Sequence, residues 1–72
     1  MQEKARQAVA DYLHIDVNDV YVVWFCKTLQ NHKTILSTDQ VKGYIFEATY
    51  NGDKKEMYLD CYIKKDNVRI LD

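Results

Sequence analysis

Hydrophobic and polar positions follow two different periods along this chain. Between Gln2 and about Leu13, residues Ala5, Ala8, Val9, Tyr12 and Leu13 recur at the i, i+3, i+4, i+7, i+8 spacing, which lines them up along one stripe of a helix. Glu3, Lys4, Arg6, Gln7 and Asp11 fall on the remaining sides. Three helical turns are marginal in water on their own, so the stripe needs a flat apolar surface to dock on. The stretch HIDVND, His14 to Asp19, is rich in side chains that hydrogen-bond their own backbone and predicts a turn.

Beyond that turn the pattern becomes that of strands. Val20 to about Gln30 (VYVVWFCKTLQ) is dominated by β-branched and aromatic residues, which favour the pleated conformation. Its first seven residues are all apolar, with no alternation. Such a run predicts a central strand, one side under the helix and the other in an exposed aromatic patch. Two outward sets are open: Tyr21, Val23, Phe25 and Leu29, or Val20, Val22, Trp24 and Cys26. A one-residue change of register exchanges them. Asn31 and His32 predict a turn, KTILS (Lys33 to about Ser37) a short return strand, and TDQVKG (Thr38 to Gly43) a loop.

The strongest local signal is a hairpin: Tyr44 to Tyr50 and Lys55 to Lys64 flank Asn51-Gly52-Asp53, a turn sequence expected to supply positive φ. Cross-strand partners share a face. Tyr44, Phe46 and Ala48 therefore join Met57, Leu59, Cys61 and Ile63 under the helix, while Ile45, Glu47, Thr49, Tyr58, Asp60, Tyr62 and Lys64 point outward. Asp66-Asn67 predicts a turn, with Val68 to Leu71 as a short edge strand. The implied fold is a single α+β domain over residues 1–72, with one N-terminal helix packed on one face of a four- or five-stranded antiparallel sheet.

Seventy-two residues, 47% of them hydrophobic, with six tyrosines and no proline, describe an ordered domain. A chain this small buries only about 60% of the surface its unfolded form exposes. The formal net charge of −1 gives no global field to concentrate polyanions. There is no apolar stretch of membrane-spanning length, and MQEKARQ has no signal-peptide core, so a cytoplasmic protein without a membrane partner is expected. Cys26 and Cys61 lack CxxC spacing and read as reduced, packed thiols.

Candidate chemistry is sparse. His14, Cys26, His32 and Cys61 are the residue types of a zinc site, but 11, 5 and 28 residues separate them, whereas structural zinc sites draw ligands in close pairs. Asp16-Val17-Asn18-Asp19 opens like a calcium loop, yet the positions that require glycine and glutamate hold Tyr21 and Lys27. Glu47 and Asp60 could lie together as an acid–base pair, and Cys26 with His32 as nucleophile and base, but no orienting group or glycine-rich loop accompanies them. No catalytic residue, metal or cofactor is assigned. Lys54, Lys55, Lys64 and Lys65 alternate with tyrosines in the manner of single-stranded nucleic-acid binders, or else blunt and solubilise strand edges.

At VVWFCKTLQ (Val22 to Gln30) and TYNGDKKE (Thr49 to Glu56) the sequence resembles a family of small uncharacterised proteins from tailed phages and prophages of Gram-positive bacteria. The likeness covers roughly Val20 to Ile70 and includes a closing lysine-rich strand and Asn67-Val68. The family pattern carries an aromatic residue where this chain has His32. The resemblance implies no chemistry; it implies a small protein that binds and redirects a host or phage protein in the bacterial cytoplasm. Together with the outer aromatic face, it leads us to expect a non-enzymatic protein-interaction module binding a protein partner or a second copy through Tyr21, Trp24, Phe25, Tyr58 and Tyr62. Tyrosine and tryptophan are the residues that most often anchor interfaces. The alternative expectation is single-stranded nucleic acid held by those tyrosines with Lys54, Lys55, Lys64 and Lys65.

Overall fold

The computed structural model describes residues 2–71. Helix α1 (Gln2–Leu13) stops at His14, whose φ of 58° is left-handed. The Ile15 N–H then bonds the Ala10 carbonyl at 3.0 Å, the six-to-one bond of a Schellman cap. Asp16 caps the next reversal by accepting from the Asn18 N–H at 2.8 Å, and one turn of 3-10 helix (Val17–Asp19) leads into the sheet. The turn expected at HIDVND is thus two capped reversals in succession.

Strands β1 (Val20–Thr28), β2 (Asn31–Thr38), β3 (Tyr44–Asn51) and β4 (Glu56–Ile63) form one antiparallel sheet in the order β1-β2-β3-β4. The expected α+β architecture holds, with four strands. Three local expectations are corrected. β1 lies at an edge, because a meander of consecutive hairpins puts its first strand there. The first hairpin turns at Leu29-Gln30, and Asn31 and His32 already pair within β2; the stacking of His32 between Phe25 and Tyr50 outweighs the strain of a positive φ, 57°, at Leu29. Residues 64–71 form no strand, and Val68, Ile70 and Leu71 are exposed.

The β3–β4 hairpin is present as expected, but its positive φ falls at Lys55. The Asn51 side chain accepts from the Asp53 and Lys54 N–H groups, holding the start of the turn without any left-handed residue there. Gly52 serves another purpose. Its N–H bonds Asn31 Oδ1 at 3.0 Å, and a Cβ at this position would collide with the Gln30 backbone. The two hairpin turns meet there.

The core lies between α1 and the sheet: Ala5, Val9 and Ala10 pack on Val20, Leu36, Phe46 and Ala48. Small residues at 5 and 10 let the helix approach closely. Tyr12, expected in the buried stripe, stays mostly exposed and sets its edge against Phe46 at 5.9 Å. Arg6 locks the helix to the entry of the sheet, donating to the Val20 and Val17 carbonyls at 2.9 Å each while pairing with Glu3. Among the described residues no helix is long and apolar enough to cross a membrane.

Candidate interaction face

The single helix covers one side of the sheet and leaves the other open. Which side chains occupy that open side is decided by a β-bulge in β1. Val22 pairs with Leu36, but Trp24 pairs with Ile35, so Val23 is an extra residue without a partner. The bulge inverts the alternation midway along the strand. Val20, Val22 and Phe25 therefore lie on the helix side, while Tyr21, Trp24 and Cys26 lie on the outer side. Neither of the two outward sets expected for this strand is correct, because each assumed unbroken alternation. Phe25 in particular moves from the outer face to the inner one, where it packs against His32 with ring centroids 5.6 Å apart.

For β3 and β4 the expected split holds within the strands, except that Ile63, expected under the helix, is 69% exposed, and Lys64 follows the end of β4. Phe46 pairs with Cys61 and Ala48 with Leu59 under the helix, and Ile45 pairs with Tyr62 and Thr49 with Tyr58 outside. The outer face thus gathers Tyr21, Trp24, Ile45, Tyr58 and Tyr62, with Trp24 50% and Tyr58 59% exposed. Ile35 and Lys33 fill the middle from β2. A shallow recess of about 410 Å³ lies beside Trp24, Cys26, Lys33 and Thr49. A second, of about 330 Å³, lies between Ile45 and Tyr62.

Its charge is one-sided. Glu47 and Asp60 pair directly across β3 and β4, and Glu56 begins β4. Lys33 reaches Glu47 at 3.7 Å and is the one strand lysine on this face. The Tyr58 hydroxyl donates to Glu56 Oε2 at 2.6 Å. That bond to a carboxylate, with the carboxylate's charge, holds the Tyr58 phenol above its ordinary pKa. Tyr21 O–H reaches Asp39 Oδ1 at 3.5 Å. The face is therefore aromatic and acidic.

The lysines of the nucleic-acid reading do not interleave with these tyrosines. Lys54 and Lys55 sit in the β3–β4 turn, and Lys64 and Lys65 follow β4 at its other end, with Glu56, Asp60 and Glu47 between them. A phosphate backbone laid along β4 would meet carboxylates.

The remaining candidates separate. Cys26 pairs with Lys33 on the outer face whereas His32 points inward, so the two lie on opposite sides of the sheet. Cys26 is exposed where a packed thiol was expected, because the bulge turns it outward, whereas Cys61 is half-buried and packs against the core as expected. Among the described residues no three His, Cys, Asp or Glu side chains converge as metal ligands. His32 is the residue whose setting the sequence did not signal: it is only 7% exposed, and burial first, then the positive charges of the amino terminus and Lys27, lower its pKa.

Over residues 1–72 the chain matches the family of unknown function DUF6275, and it belongs to that family. No curated protein and no solved structure matches it.

Proposed function

We propose that this member of a family without an assigned activity is a non-enzymatic protein-interaction module. Its outer sheet face would dock a protein segment that carries basic and apolar side chains. The observation that carries this reading is the uncovered face itself, with Tyr21, Trp24, Ile45, Tyr58 and Tyr62 around Glu47, Glu56 and Asp60. Aromatic rings supply contact area at little cost in conformational entropy, and arginine or lysine can both stack on them and pair with the carboxylates. In the phage setting implied by the motifs at Val22 to Gln30 and Thr49 to Glu56, the target is a host or phage protein in the bacterial cytoplasm, inhibited or modulated by the contact, or a second copy of this chain.

Tyr58→Ser combined with Tyr62→Ser tests the reading. Both side chains are exposed, so the circular dichroism spectrum and melting temperature should stay close to those of the parent chain. Protein binding should fall at least about tenfold, as expected for loss of two aromatic anchors. Unfolding of the variant would show that the tyrosines serve the fold, and undiminished binding would remove the face from the interaction. Salt-dependent binding of a single-stranded oligonucleotide, lost when Lys54, Lys55, Lys64 and Lys65 are changed to alanine, would favour the nucleic-acid reading instead.

A further inference from the structure

The outer face is not the only part of the chain that lacks a partner. After β4 the Lys64 N–H still bonds the Gly43 carbonyl at 2.7 Å, which keeps the backbone on the line of β4 as it leaves the sheet. The segment that follows, KKDNVRIL at residues 64–71, has no regular structure, and Ile70 is 86% exposed. Apolar residues with nothing to cover them are costly, at roughly 25 cal/mol per Å² of surface left in water. The segment also carries the sign of charge that the face lacks: Lys64, Lys65 and Arg69 against Asp66, facing a surface with three carboxylates and one lysine.

We infer that the occupant of the outer face is the 64–71 segment of a second copy of this chain. Extended, eight residues reach roughly 26 Å, enough to cross four strands spaced about 4.8 Å apart. Val68, Ile70 and Leu71 supply apolar contact for the aromatic rings, and the recess lined by Ile45, Tyr62, Ile63 and the host copy's own Lys64 is a receptacle for one of them. The basic residues meet the carboxylates. Because each copy owns one face and one segment, reciprocal exchange about a twofold axis satisfies both and closes the assembly as a dimer. Stacking two outer faces directly would instead oppose like charges. A chain docking its own segment would have to fold back over its own sheet after Lys64, whose N–H is still held by the Gly43 carbonyl. The inference rests on the reading of the face as a docking surface and names its partner.

The test uses the full chain. Light scattering on an eluting size-exclusion peak, across a range of loading concentrations, should show twice the monomer mass, with the dimer weakening as salt rises. Ile70→Ser with Leu71→Ser should raise the dimer dissociation constant at least about tenfold while leaving the circular dichroism spectrum unchanged. In a mixture of isotope-labelled and unlabelled copies, filtered nuclear Overhauser spectra should connect the Ile70 or Leu71 methyls of one copy with the Tyr58 or Tyr62 rings of the other. Contacts confined to one chain would overturn the inference in favour of the molecule's own segment. A dimer that survives the Ile70 and Leu71 changes but is lost in Tyr58→Ser with Tyr62→Ser overturns the segment and leaves the face standing. A dimer indifferent to both pairs removes face and segment together. A monomer at every concentration overturns the inference alone and leaves the face open to a different protein.

Discussion

His32 offers a test of whether burial can make a side chain pH-sensitive in a domain this small. Its ring is stacked on Tyr50, with centroids 4.7 Å apart and planes at 18°, and flanked by Phe25 on β1. Both ring nitrogens are buried, and neither finds a hydrogen-bond partner among the described residues. A neutral imidazole carries one donor and one acceptor, and leaving such a group unmet costs about 1–3 kcal/mol. His32→Phe keeps an aromatic ring between Phe25 and Tyr50 and removes both unmet atoms. It should therefore stabilise the domain by about 1–3 kcal/mol, less whatever the slightly larger ring costs in packing. The positive charge of Lys27, across the β1–β2 pair, acts in the same direction as burial.

The pH dependence follows from the direction of the shift. His32 has a lower pKa in the folded chain than in the unfolded one. As pH falls through the unfolded value near 6.5, the unfolded state takes up the proton first, so stability declines from there until the pH drops below the folded value. Urea unfolding followed by circular dichroism at pH 8 and at pH 5 measures this decline in the parent chain and in His32→Phe. The variant should lose stability less steeply than the parent between the two pH values, whatever its packing does to the absolute figure. Equal slopes would refute the assignment of the pH response to His32. Destabilisation of the variant at pH 8 by more than about 1 kcal/mol would refute the claim that its nitrogens are unmet.

Two further substitutions probe the joints of the fold. Gly52→Ala should cost about 2–3 kcal/mol, because its Cβ would meet the Gln30 backbone and force the two hairpin turns apart; an effect no larger than that of Gly43→Ala, where the space is open and only the φ of +83° is strained, would disprove the clash. Arg6→Met keeps the apolar stem but loses the bonds to the Val17 and Val20 carbonyls, so the urea midpoint should fall by the equivalent of about 2–3 kcal/mol. Lys4→Met, at an exposed neighbouring site, should move it far less.

Regular periods made parts of this fold legible in the sequence. The helix, the β3–β4 hairpin and the division of those two strands between faces follow from spacing and turn chemistry, and all are present, with Ile63 alone left exposed where cover was expected. The failures are places where tertiary contact overrides a local rule. Asn31 and His32 favour a turn, yet the aromatic slot between Phe25 and Tyr50 draws His32 into a strand and pushes the reversal back to Leu29-Gln30. The turn at Asn51-Gly52-Asp53 was expected to use left-handed residues, yet Gly52 is there for lack of a side chain and the left-handed residue is Lys55. Val68 to Leu71 has strand-forming residues but pairs with neither edge strand and stays exposed.

The run Val20 to Cys26 shows most clearly how one residue can redirect a surface. Unbroken alternation would place Trp24 and Cys26 with Val20 and Val22 beneath a helix whose buried residues are Ala5, Val9 and Ala10, a helix set close on the sheet with little depth for an indole. Val23 absorbs one step of the pleat, so the indole emerges beside Tyr21 and the phenyl ring of Phe25 goes inward to His32. The same bulge also acts on the edge. Bulges raise local twist and interrupt the ladder that an incoming strand would have to match, and here the bulge lies in β1, which has no neighbour on its outer side. Strand addition at the β1 edge is hindered by the same feature that enlarges the aromatic face.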